Sequence, residues 1–197
     1  CRRIRPYNED GSKMTLNDVA DCLFQVLKDY RGGLLLIEDV NKYVGDYLPN
    51  DLVGALCTNR HSNLDIVLHF QSIGRVGTKI WQNINWIRFH KNTDSVDRHK
   101  KKFEDKWEAF KICEILVNKQ YFAGNKYIYL TYDTDTETIK GNYSPKMMNE
   151  AIDEYLALNY TKKVKPLLNA RDAKGKSKYK AADALKTAKA QIKKMYL

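Results

Sequence analysis

No apolar run in this 197-residue chain approaches the ~18 residues that a bilayer-crossing helix needs, which argues against a membrane span. The first residues are basic and lead into a polar turn, unlike a secretory signal peptide. There are only four cysteines, Cys1, Cys22, Cys57 and Cys113, and none stand at paired spacing. They read as reduced thiols in a cytosolic setting, not as a disulfide frame or a zinc site. The four histidines share no ligand spacing with them. No internal repeat is present, and aromatic anchors for a lipid surface are few.

Acidic residues are nearly missing from one end. Residues 161–197 hold 12 Lys or Arg against Asp172 and Asp183, an excess of ten that equals the whole net charge of +10. Residues 1–160 are balanced, with 22 basic and 22 acidic groups. A basic appendage on a neutral globule suits a polyanion, nucleic acid before membrane, with a solubilising end as the plainer alternative. Lys162, Lys163, Lys165, Lys174, Lys176, Lys178 and Lys180 are the candidate phosphate contacts. The expected organisation is an α/β domain over 1–160 and a partly helical basic tail over 161–197.

With 43% hydrophobic content, the chain can bury a real core. Thr15 with Asp18 three residues later is a capping box, and Leu16, Val19, Ala20, Leu23, Val26 and Leu27 recur at helical spacing. Gly32-Gly33 breaks that helix, and Leu34-Leu35-Leu36-Ile37 runs into Glu38-Asp39. A run apolar at every position suits a strand covered on both faces, as in a parallel sheet. Residues 41–49 read as loop, 51–57 as a short helix, and 65–70 as a second buried strand. A helical turn at 78–82 and a third strand at 85–90 complete an α-β-α-β-α-β order, which implies a parallel sheet with right-handed crossovers. Residues 94–117 read as a charged helix with Val96, Phe103, Trp107, Phe110 and Leu116 facing inward. A β-hairpin over 127–140 and a helix opened by Ser144-Pro145 follow. The last helix, 179–197, places Ala181, Leu185, Ala188, Ile192 and Met195 on one face.

Two acids at the carboxyl end of a parallel strand stand where α/β folds bind ligands. This is the pattern of a Walker B element, in which one carboxylate serves Mg²⁺ and the next can polarise the attacking water. The plainer alternative is a buried strand ending in a solvated acidic turn. If the second strand neighbours the first, Gln71 arrives at the same edge, where an amide can bond both a γ-phosphate and water; taken alone, it reads as a strand-end amide satisfied by nearby backbone. Arg60 stands before the second strand, at the opposite end, and reaches a neighbouring subunit's site more easily than its own; a surface arginine with no such role is the competing reading. Arg75 and Arg88 are weaker candidates for that role.

The block 33–40, then Asn59-Arg60-His61, Asp65-Ile66 and Gln71-Ser72, resembles the core of the FtsK/HerA-type P-loop ATPases, most closely the DNA-packaging and Zot-like ATPases of phages. The resemblance covers about residues 30–90. It implies a P-loop NTPase-like fold and ATP and Mg²⁺ as cofactors. Glu38 and Asp39 would be the Walker B pair and metal ligands, Gln71 the nucleotide sensor, and Arg60 a finger supplied in trans within a homo-oligomeric ring. It also implies DNA as partner, possible virion or portal components beside it, and a place in the host cytoplasm or virion, with no membrane. The family usually has Asp then Glu; here Glu38 comes first, so the water-polarising role stays open between the two.

The family's Gly-x-x-x-x-Gly-Lys-Ser/Thr loop does not precede the acidic strand. The near match from Ala170 to Ser177 lies among lysines with no strand leading in, and it is not read as a phosphate loop. Because the chain opens on Cys1, the expectation is that the phosphate loop lies upstream. Two other classes remain: a non-catalytic α/β DNA-binding or virion assembly protein, and a metal-dependent nuclease using Glu38 and Asp39.

Overall fold

The computed structural model describes residues 4, 5, 7–40, 54 and 63–197, together forming two compact units, Cys1–Asn83 and Ile84–Leu197. Arg60 and the expected loop and helix of 41–57 lie outside the described residues, Gly54 excepted.

The first unit begins with the helix α1 (Leu16–Asp29), whose start is the predicted capping box. Asp18 N–H donates to the Thr15 hydroxyl at 3.2 Å, and Thr15 N–H donates to Asp18 Oδ2 at 2.8 Å. The Thr15 hydroxyl, then its N–H, holds the Asp18 carboxyl below its usual range. Gly32 and Gly33 take φ of 66° and 110°, which turns the chain into β1 (Gly33–Ile37). A Cβ on Gly33 would stand 3.0 Å from the Tyr30 hydroxyl, so a side chain there would also displace that ring slightly.

β1 pairs in parallel with β2 (Leu64–Leu68), from Gly33 opposite Leu64 to Ile37 opposite Leu68. The parallel expectation holds for this pair. Cover on both faces does not: Leu34 and Leu36 are 62% and 55% exposed. The reason is that one apolar stripe covers one face. Leu23 and Leu27 of α1 pack with Leu35, Ile37, Leu64, Ile66, Leu68 and Phe70. Beyond β2 come a 3-10 turn (Ile73–Arg75) and α2 (Thr78–Asn83), where Trp81 is buried and its indole N–H donates to Val76 O at 3.1 Å.

In the second unit the expectation of a third parallel strand fails. β3 (Trp86–Phe89) runs antiparallel to β4 (Leu130–Asp133), which pairs antiparallel with β5 (Ile139–Gly141). The cause is legible in Trp-Ile-Arg-Phe: Trp86 and Arg88 face solvent while Phe89 is buried, the alternation of a half-solvated antiparallel sheet. The predicted hairpin between β4 and β5 is present, its turn held by Asp133 Oδ1, which accepts the N–H of Asp135 and Thr136 at 2.9 and 3.0 Å.

Residues 96–106 form 3-10 turns, and only then does α3 (Trp107–Phe122) begin. Val96, Phe103, Phe110 and Leu116 are buried as expected, whereas Trp107 is half-buried and donates its indole N–H to Asp97 at 3.0 Å. α3 is the centre of the unit, packing against β3, β4 and α4 (Pro145–Leu158). Ser144 caps α4 through Met147 N–H at 3.3 Å, with Pro145 in the first turn. Burial pushes the Cys113 thiol on α3 well above its usual range.

Residues 161–197 belong to this unit: α5 (Tyr160–Lys163), α6 (Lys165–Asn169) and α7 (Ala181–Tyr196). α7 packs on α4 through Ala184, Ala188, Ile192 and Tyr196, a strict i, i+4 stripe. The expected face is therefore displaced, with Leu185 and Met195 exposed. Alanines at 184 and 188 let the two helices approach closely, and Tyr196 buries more apolar surface than Met195 would. Among the described residues no helix is long and apolar enough to cross a membrane.

Candidate functional site

Parallel pairing brings the ends of β1 and β2 out at one edge of the first unit. Two further backbone bonds extend the pairing beyond the strands: His69 N–H donates to Ile37 O at 2.9 Å, and Val40 N–H donates to His69 O at 3.1 Å. Between them Asp39 turns with φ 51°, a left-handed conformation that Asp tolerates better than most residues. Its carboxylate then meets a residue 32 positions away: Gln71 Nε2 donates to Asp39 Oδ1 at 2.8 Å. His69 Nδ1 lies 3.8 Å from the same oxygen, an ion pair when the imidazole is protonated. Glu38 is exposed beside them.

The structure thus joins Asp39 to Gln71, sets Glu38 next to them, and leaves Arg60 outside the described residues. Arg75 and Arg88 are exposed, in different units. His69 was not anticipated, although its signal was available: two residues before Gln71, strand alternation places both on one side.

Chemically the cluster offers hard oxygen donors, an amide that can donate a hydrogen bond and accept one, and a titratable imidazole. Among the described residues no group of three or more His, Cys, Asp or Glu is gathered as an all-protein metal cage. Glu38 and Asp39 suit Mg²⁺, which is commonly held by one or two carboxylates with phosphate oxygens and waters.

Of the seven candidate nucleic-acid lysines, Lys163 is engaged by the Glu108 carboxylate. Lys162, Lys165, Lys174, Lys176, Lys178 and Lys180 are exposed. The segment resembling a phosphate loop is a tight turn after α6. Asp172 Oδ1 accepts the N–H of Lys174 and Lys176, each at 2.9 Å, and Asp172 O accepts that of Gly175 at 3.0 Å. A carboxylate and a carbonyl already occupy the amides that a phosphate would need.

No protein-family profile matches the chain, and no curated protein matches it in sequence. Among solved structures, it is similar to the genome packaging NTPase B204 of Sulfolobus turreted icosahedral virus 2. With AMPPCP bound, the identity is 20% and the TM-score 0.44, over 71% of this chain and 63% of that one. With ATP-gammaS the identity is 20% and the TM-score 0.46, over 66% and 65%. The DNA-packaging ATPase B204 of Sulfolobus turreted icosahedral virus is 16% identical at a TM-score of 0.45, over 72% and 64%. The chain therefore spans less than two thirds of the length of these neighbours.

Proposed function

We propose that this chain carries the Walker B and sensor part of an ATP-hydrolysing motor that moves viral DNA. The observation that supports it best is the hydrogen bond from Gln71 to Asp39, made across a parallel strand pair at its carboxyl edge. An amide held on a carboxylate at that edge can also bond a nucleotide's terminal phosphate or the attacking water, so its position depends on what is bound.

In this reading Glu38 and Asp39 hold Mg²⁺, which when bound neutralises charge on the phosphates. One of the two carboxylates orients the attacking water and accepts its proton, and Gln71 senses the γ-phosphate. His69 stands 3.8 Å from the same Asp39 oxygen, at the edge of the site. Arg60 acts in trans within a ring of copies, and the exposed lysines of 161–197 hold DNA phosphates without regard to sequence. The motor would work in the host cytoplasm or on the virion, beside portal or other virion components.

The test is ATP hydrolysis by the full-length protein carrying Glu38→Gln or Asp39→Asn. Turnover is expected to fall at least about a hundredfold in one or both, the range for loss of a positioned acid–base group. Unchanged turnover in both sinks the assignment.

The excess of positive charge in 161–197 favours one other reading, a DNA-binding or assembly protein without catalysis. Deleting the segment does not test this cleanly, because Val164, Ala188 and Tyr196 are buried in the second unit. Reversing charge at Lys174, Lys176 and Lys178 does. Loss of function there, with carboxylate changes silent, would favour the second reading.

A further inference from the structure

Two groups of cations on rings, joined through the neighbours His90 and Lys91, lie by the end of the β3–β4–β5 sheet where β3 stops and β4 starts. The Arg88 guanidinium lies 3.8 Å from the centre of the Tyr129 ring, and the His90 ring is 6.1 Å from it. The next residue, Lys91, places its ammonium 5.7 Å from the Phe122 ring. Phe122 is 5.9 Å from Tyr121, whose face carries the Lys126 ammonium at 3.7 Å. Across the sheet, Thr131 stands opposite Arg88 on one side and Lys140 on the other, so two cations flank it in one row.

Two further observations say what this band is for. First, residues 84–93, 115–132 and 138–149 hold neither Asp nor Glu, and the nearest acids include Asp133, which feels Lys140, and Glu150 and Glu154, which pair with Lys119. An ordinary solvated surface mixes both signs, as residues 94–108 do here. Second, Phe122 and Tyr127 are 76% and 87% exposed, so neither serves the core.

We propose that this band binds single-stranded nucleic acid. Arg88, Lys91, Lys126 and Lys140 contact phosphates, and unpaired bases stack on Phe122 and Tyr127. The aromatic share of the surface selects a single strand. Base faces are free only when unpaired, whereas a duplex offers phosphates and base edges. A lipid surface would also accept Lys and rings, but it would not call for cations laid on the ring faces at 3.7 and 3.8 Å. The surface lies in the second unit and needs nothing from the Asp39–Gln71 site, so either reading can fail alone.

The experiment is fluorescence anisotropy of the full chain with a labelled thymidine homopolymer of about 20 nucleotides and a duplex of equal length, for wild type, Phe122→Ala and Tyr127→Ala. Each change is expected to weaken single-strand binding about tenfold, the lower part of the range for one base–aromatic stack, and duplex binding less than about threefold. Arg88→Ala should weaken single-strand binding and lessen its salt dependence. The proposal is overturned if wild type does not bind the single strand, or if both ring variants bind it as wild type does. It is overturned equally if duplex binding falls in parallel. Binding instead to anionic vesicles, or concentration-dependent self-association abolished by Phe122→Ala, would assign the band to a membrane or to a second copy.

Discussion

Phe110 and Phe122 lie twelve residues apart on one helix, and replacing each with Ala should give opposite results. Phe110 is fully buried, with ring centres at 5.0 Å to Phe89, 5.0 Å to Phe103 and 5.5 Å to Tyr132, the last edge-on. Its truncation removes a buried aromatic and leaves a cavity bounded by three rings that cannot all collapse into it. Such changes cost about 3–5 kcal/mol, and loss of three ring pairs places this one near the top of the range. Phe122, by contrast, is 76% exposed and its removal should stay within about 0.5 kcal/mol. With a urea slope of about 2 kcal/mol/M, Phe110→Ala should lower the unfolding midpoint by roughly 2 M and Phe122→Ala hardly at all. The transition is best followed by peptide-resolved labelling of the Cys113 thiol, which is fully buried on the same helix. Equal midpoint shifts for the two variants would refute the placement of α3 at the centre of the second unit.

Alkaline pH should unfold the same unit abruptly. Burial pushes Tyr132 up to about 12 from an ordinary 10.0, and burial likewise raises Tyr155 and Tyr196. A phenol that keeps its proton longer when folded stabilises the fold fully below pH ~10 and progressively less as pH rises through the folded value. Absorbance of phenolate should therefore show these tyrosines ionising together with the loss of far-ultraviolet dichroism, not before it. Ser144→Ala should cost about 1 kcal/mol in the unfolding free energy, the usual worth of an N-cap, and a neutral result would deny the cap at α4. Replacing Lys174, Lys176 and Lys178 with Ala should lower the log–log salt slope of duplex binding by about 2–3, and an unchanged slope would remove those lysines from the phosphate contacts.

How much of this was legible in the sequence differs between the two units. Thr15 with Asp18, and Ser144 with Pro145, marked helix starts because capping is local chemistry. The hairpin at Asp133–Thr136 was equally local. Gln71 reached Asp39 because a parallel pair places strand ends together, an inference that needed only the two strands to be neighbours. β3 went astray because its position in an α-β-α-β-α-β order outweighed its own alternation, in which Arg88 cannot be buried on either face. α7 missed by one position because Leu185 and Met195 are more apolar than Ala184. Helix packing, however, rewards a close approach over residue hydrophobicity. The meeting of Arg88 with Tyr129, and of Lys91 with Phe122, was not legible, since these residues are brought together by the fold of β3, α3 and β4 rather than by spacing.

Asp39 occupies a backbone conformation that glycine would adopt at lower cost. Any selection or design that rewards thermal stability alone should therefore favour Asp39→Gly, and that same change deletes the carboxylate on which Gln71 rests. Under the proposed function, the two pressures at this one residue have opposite signs. A survey of tolerated substitutions, scored once for folding and once for nucleotide turnover, should rank glycine near the top of the first scale and near the bottom of the second.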